Sequence, residues 1–214
     1  MKNLGKLYLN NQLIAGEIMI PGSVEHIGDN AFVYNSDLTS VIISEGVKSI
    51  GSYSFYRCSN LSNITFPNSL NKITDISLHD TPWYNNQPDG VVYAGKVLYH
   101  YKGTMPDNTS IVVKDGTLGI AARAFDCEYH LTNITIPDSV NYIGFAAFST
   151  SGSSVNYLTI NILSTTPPEL GSDVFGYGNE VSVKQIIVPK GTLNAYQTAT
   201  NWSTFADKMV EATE

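Results

Sequence analysis

An interval of 23 residues governs this chain. The tripeptides Asn30-Ala31-Phe32, Tyr53-Ser54-Phe55 and Ile76-Ser77-Leu78 lie 23 residues apart, as do Pro21, Ser44 and Pro67. The pairs Ile27-Gly28, Ile50-Gly51 and Ile73-Thr74 keep the same step, and the pattern returns over Ile111 to Phe125 and Ile134 to Phe148. One unit reads L-x-x-I-x-I-P-x-x-V-x-x-I-G-x-x-A-F, and five units match most of its anchors. A fixed period of roughly 20–29 residues with alternating aliphatics confines a chain to a solenoid of the leucine-rich type.

Each unit carries two apolar sets. Ile64-x-Phe66 and Ile134-x-Ile136 alternate as a strand with one buried face must. Pro67 and Pro137 then end the ladder, because proline has no N–H to donate. Val140, Ile143, Ala147 and Phe148 send a second set back to the same interior. One unit cannot bury these alone, so stacked neighbours bury them for one another, and each Phe is expected to fill the space between rungs. The slot held by Gly28, Gly51 and Gly144 is Thr74 and Ala121 elsewhere. That points to a demand for a small residue rather than for a positive φ.

The period predicts one domain over 1–214, a β-rich leucine-rich-repeat solenoid of about six units. Its parts are an N-terminal hairpin cap (1–17, with Leu7-Tyr8-Leu9 facing Leu13-Ile14), repeats (18–80), a hairpin insert (81–103), repeats (104–157), and a divergent last repeat with its cap (158–214). The insert follows from the spacing of 47 between Leu78 and Phe125, with a turn expected near Ala94-Gly95. In the last segment Ile186-Ile187-Val188-Pro189 reads as a final strand. Leu193, Tyr196, Trp202, Phe205 and Met209 read as one side of a short helical cap, which an open solenoid end requires.

The unit from Leu131 to Phe148 resembles the leucine-rich repeat of the BspA-like family. Asp89-Gly90-Val91-Val92-Tyr93 and the tail Thr166-Pro167-Pro168…Val188-Pro189…Tyr196…Trp202 are similar to segments of such proteins from gut Bacteroidetes. The resemblance covers nearly the whole chain. It implies a cell-surface or secreted protein, in some members a lipoprotein, that binds host matrix or plasma proteins or takes part in bacterial co-aggregation.

Composition narrows the chemistry. Charged residues make up only 14% and the net charge is −7, with twelve Lys and Arg scattered singly. Nucleic acid, which needs clustered cations, is not expected as a partner. No apolar run reaches the ~20 residues of a membrane helix, and Met1-Lys2-Asn3-Leu4-Gly5 lacks the apolar stretch of a leader. Cys58 and Cys127 are expected to be free thiols in turns, two rungs apart and beyond disulfide reach. His26, His79, His100 and His130 have no second ligand at metal spacing and read as surface residues. There is no G-x-S-x-G elbow, phosphate loop or C-x-x-C pair, and Gly176-Tyr177-Gly178 reads as a turn. Five N-x-S/T sequons, beginning at Asn60, Asn63, Asn108, Asn133 and Asn201, follow from the Asn- and Thr-rich repeat. No catalytic residue, metal or cofactor is expected.

What remains are slots between the core anchors, read as facing outward. One column runs Asn30, Tyr53, Ile76, Arg123, Ala146; another runs His26, Ser49, Lys72, Gly119, Tyr142. A third runs Asp29, Ser52, Asp75, Ala122, Phe145. Among all three, Tyr53, Arg123, Tyr142 and Phe145 are the surface candidates, being types enriched in protein interfaces. The expected function is a non-catalytic binding module for an unidentified protein. A structural spacer of a larger envelope protein and a glycan-binding or glycan-active protein are the alternatives.

Overall fold

The computed structural model describes residues 8–9, 12–13, 16–149, 158–176 and 183–213, which fall into two compact units, Met1–Pro88 and Asp89–Glu214. In the first, β1 (Tyr8–Leu9) and β2 (Gln12–Leu13) form the expected hairpin, Tyr8 opposite Leu13. Leu7, Asn10, Asn11 and Ile14 lie outside the described residues. Strands β3 (Gly16–Ile20), β4 (His26–Ile27), β5 (Leu38–Ile43), β6 (Ser49–Ile50), β7 (Asn63–Thr65) and β8 (Lys72–Ile73) then alternate between two parallel sheets, β3-β5-β7 and β4-β6-β8.

Their register is the sequence period made physical: Val41 pairs with Ile64 and Ile50 with Ile73. Leu38, Val41, Ile43, Val47, Ile50 and Phe55 are buried between the sheets. Phe32 and Phe55 stack with centroids 5.1 Å apart and planes 6° from parallel, so each ring fills a rung as expected.

Between coils the chain turns twice, and each turn holds one residue in the left-handed region. The first such column is Asn30, Tyr53 and Ile76; the second is Tyr34, Arg57 and Asp80, with φ between +38° and +60°. These turns stack too, through bonds such as Phe32 N–H to Ser54 O (2.7 Å) and Arg57 N–H to His79 O (3.1 Å). Ser54 stands at the alanine anchor. It is fully buried, and its hydroxyl donates to the carbonyls of Gly28 and Gly51 at 2.9 and 2.6 Å, which removes the penalty of a buried polar group.

A short helix α1 (Pro82–Asn85) follows, where the sequence reading placed the start of a hairpin. Thr81 caps it by accepting from Tyr84 N–H at 3.1 Å, and Pro82 sits in the first turn, where a missing N–H costs nothing.

The second unit opens with the hairpin of β9 (Gly90–Ala94) and β10 (Val97–Lys102), which turns through Gly95. It joins a sheet, since β10 pairs in parallel with β12. Strands β11 (Thr109–Val112), β12 (Gly119–Ile120), β13 (Leu131–Ile136), β14 (Tyr142–Ile143), β15 (Leu158–Ile162), β16 (Glu169–Leu170) and β17 (Val183–Val188) continue the alternation. Phe125, Phe148 and Phe175 form a second stacked ladder at 5.4 and 5.9 Å. The coil carrying Leu170-Gly171 and Val174-Phe175 is thus a regular repeat.

Gly144 is not at positive φ. A Cβ there would lie 2.4 Å from the backbone nitrogen of Ala122 on the neighbouring coil, so the slot needs smallness, as the Thr and Ala substitutions implied.

The cap differs from the single helical segment expected. It comprises α2 (Leu193–Thr198), a 3-10 turn over Ser203–Lys208, and β18 (Met209–Glu211), which pairs in parallel with β17. Met209 therefore belongs to a strand. Tyr196, Trp202 and Phe205 are buried as expected. Three side chains serve carbonyls of the preceding coil: Tyr196 Oη donates to Ser164 O at 2.8 Å, Trp202 Nε1 to Pro168 O at 2.7 Å and Asn201 Nδ2 to Leu170 O at 2.8 Å.

Candidate functional site

The left-handed columns set the first unit's surface. That conformation normally selects Gly, Asn or Asp, because other Cβ atoms crowd the following carbonyl. Here it holds Tyr34 (φ 60°), Tyr53 (φ 58°) and Arg57 (φ 57°). The turns aim these side chains outward, where they meet Tyr56. Tyr34 and Tyr53 each lie edge-on to Tyr56, at 5.9 and 5.6 Å. The Arg57 guanidinium sits 5.1 Å from the Tyr56 centroid and 5.8 Å from that of Tyr34, while its Nε donates to Asp80 at 3.0 Å.

The Asp80 hydrogen bond first, then the facing tyrosine rings, raise the Arg57 pKa further above its ordinary value. An exposed pair of this kind stabilises the fold little. Its effect is to hold a guanidinium and three phenol rings in one arrangement before anything binds, with Tyr34 56% exposed.

Of the sequence candidates, Tyr53 falls in this cluster. In the second unit Arg123 and Phe145 come together, the guanidinium 5.2 Å from the ring centroid and bonded to Asp126 at 2.8 Å. Tyr142 does not face outward: it is buried, at 9% exposure. Its Cα partners are Gly119, which has no side chain, and Glu169. Burial also raises its phenol pKa. Tyr34, Tyr56 and Arg57 were missed as candidates, although their shared position beside the aromatic anchors was the available signal.

Neither cysteine is in a disulfide, as expected. Cys58 is buried, donates its Sγ–H to Phe32 O at 3.0 Å, and has its pKa pushed up to about 11 by burial. Cys127 is exposed, in the same left-handed slot as Arg57 and Asp80. His79 is not a plain surface residue: it is half-buried, 4.5 Å from the Tyr84 ring, and burial lowers its pKa. His26 is exposed and bonded to Ser49, and His130 contacts Asp107 at 2.6 Å. Among the described residues no three His, Cys, Asp or Glu side chains converge on a metal-sized site, and no helix is long and apolar enough to cross a membrane. Tyr177 and Gly178 lie outside the described residues.

A second surface is the outward face of β11, β13, β15 and β17. Ser110, Asn133, Thr159 and Gln185 form one column across it, and Val112, Thr135, Asn161 and Ile187 the next, which Val210 of β18 extends. One depression of about 480 Å³ is lined by Asn133, Thr135, Thr159, Asn161 and Gln185. Another, of about 710 Å³, shares Asn133 and Thr159 and adds Asp107, Tyr129, His130 and Lys184.

Coils of one long and one short parallel strand, stacked at a 23-residue step over ladders of buried aromatic rings, define a leucine-rich-repeat solenoid. The chain belongs to the BspA-type leucine-rich repeat family: residues 2–85 and 99–203 match that repeat region in six copies. Among solved structures it is similar to a leucine-rich repeat protein of T. pallidum, at 19% identity over 74% of each chain with a TM-score of 0.37. It is also similar to a leucine-rich cell surface protein of Faecalibacterium prausnitzii, at 17% identity over 96% of this chain and 81% of that one, TM-score 0.37. The pneumococcal vaccine antigen PcpA matches at 15% identity over 92% of this chain and 40% of its own, TM-score 0.33. No curated protein matches the chain.

Proposed function

We propose that the chain is a non-catalytic recognition module of a bacterial surface or secreted protein, and that it binds a protein partner of the host matrix, plasma or another bacterium through the cluster of Tyr34, Tyr53, Tyr56 and Arg57. Membership of the BspA-type repeat family supports the class. The observation that carries the site is the preassembled cluster, in which Tyr34 and Tyr53 lie edge-on to Tyr56 while Arg57 faces two of the rings and bonds to Asp80. Tyr and Arg are also the types that dominate interface energetics, and a rigid repeat surface presents them with little ordering cost.

The test is surface plasmon resonance of the purified chain against immobilised matrix proteins, plasma proteins and bacterial surface extracts, with Tyr34→Asn and Arg57→Ala alongside. Binding by the native chain, weakened about fivefold or more by each variant, is expected. Tyr34→Asn, which relieves the backbone, is expected to leave folding stability unchanged or raise it by up to about 1 kcal/mol. Native binding that neither variant alters removes the cluster from the function.

A further inference from the structure

We propose that the outward face of β11, β13, β15 and β17 binds a neutral oligosaccharide, at a site separate from the aromatic cluster of the first unit. The two depressions share Asn133 and Thr159 and so adjoin along the face. Their volumes lie within the range typical of small-ligand sites.

The chemistry of the lining selects the ligand. Thr135, Thr159, Asn161 and Gln185 are half-buried and carry no side-chain hydrogen bond to another described residue, so their amides and hydroxyls offer donors and acceptors to a ligand. The Asn133 amide is oriented from below, donating to Ser110 Oγ at 3.3 Å and Thr132 Oγ1 at 3.1 Å. Each of these groups both donates and accepts, as does every sugar hydroxyl. They recur at the strand spacing of about 4.8 Å, which suits a ligand that presents the same groups repeatedly. Tyr129, 46% exposed, lines one end of the larger depression and adds aromatic surface there, a surface type on which the C–H side of a sugar packs.

The charges agree. Asp107 and His130 contact each other at 2.6 Å, which leaves Lys184 as the one cation lining the larger depression without a carboxylate contact among the described residues. An anionic polymer needs clustered cations, and this face lacks them. A protein ligand is disfavoured because interfaces centre on apolar or aromatic anchors. Here the middle of the face is Thr135, Thr159 and Asn161, with Val112 at one edge and Ile187 and Val210 at the other.

Affinity electrophoresis of the native chain through gels containing a β-glucan, a mannan, a galactan or a xylan, with heparin as the anionic control, tests this. Retardation in at least one neutral gel is expected. Tyr129→Ala and Gln185→Ala, two solvent-facing changes, should each weaken it about fivefold or more. Circular dichroism checks that both variants fold, and a single-methylene change, Gln185→Asn, keeps the test open if Gln185→Ala does not. Tyr34→Asn should migrate as the native chain, which separates this site from the one proposed for a protein. No retardation in any neutral gel, retardation by heparin alone, retardation insensitive to all three face variants, or loss of protein binding on Tyr129→Ala without any glycan effect would each overturn the assignment.

Discussion

Replacing Phe55 by alanine tests the load carried by one ring of the ladder. Phe55 is fully buried, stacks on Phe32 at 5.1 Å, and occupies the slot that Leu78 fills in the next coil. Truncating a buried Phe removes its transfer free energy and leaves a cavity, together about 3–5 kcal/mol. The parallel ring pair accounts for about 0.5–1.5 kcal/mol of this. Leucine already suits the slot, so Phe55→Leu loses the ring pair and a fraction of the buried area, about 1–2 kcal/mol. At a urea dependence of about 2 kcal/mol per molar, alanine should lower the unfolding midpoint by about 2 M and leucine by less than about 1 M. Equilibrium unfolding followed by tryptophan fluorescence and circular dichroism reads both. A midpoint moved by less than about 0.5 M in the alanine variant, or equal shifts for the two, would show that the ring is not packed as a rung.

Two further expectations concern slots with opposite surroundings. At Gly144 an added methyl meets the Ala122 backbone, whereas at Gly28 nothing lies within 4 Å of the new Cβ. Gly144→Ala should therefore destabilise by about 1–3 kcal/mol, while Gly28→Ala should be neutral or gain about 0.4–1 kcal/mol from a stiffer unfolded chain, as read by thermal melts. The thiols provide a second pair. Under native conditions Cys127 should react with a disulfide reagent and Cys58 only after unfolding, with two thiols titrating in denaturant. Because burial raises the Cys58 pKa from 9.0 to about 11, the fold favours the protonated thiol. Its contribution is intact below about pH 9 and is lost as pH rises toward 11. The urea midpoint should fall more steeply over that window in the native chain than in Cys58→Ala; parallel curves would remove the thiol as the cause.

The solenoid was legible because its determinants are periodic. Ile, Val and Phe at fixed intervals report a buried face wherever they recur, and Phe55, Phe125 and Phe148 lie where the period placed them. The turn geometry was not legible. Left-handed backbone is normally announced by glycine or asparagine, and here its slots hold Tyr53, Arg57, Ile76, Arg123 and Ala146, whose identities carry no such signal. Tyr142 was misplaced for a related reason. A slot's position follows from the repeat, but its burial depends on the residues beside it in neighbouring coils, and its register partner Gly119 is 23 residues away. The α1 helix had a local signature in Thr81-Pro82, which the loss of period beyond Leu78 obscured. The neutral face was not singled out in the sequence, and its depressions and the placing of Tyr129 and His130 beside them needed coordinates.

The polar decoration follows the same step as the interior. Lys48 pairs with Glu25, Arg57 with Asp80, Asn68 with Glu45 and Asn133 with Ser110, each across one coil. A gene segment encoding one whole coil therefore carries half of each such partnership and meets its complement wherever it is spliced between like neighbours. Growth or shortening by complete modules preserves the exterior's grammar, whereas a slip of one codon breaks every partnership that spans it. Lineages descended from such a molecule should differ in copy number far more readily than in the length of a copy.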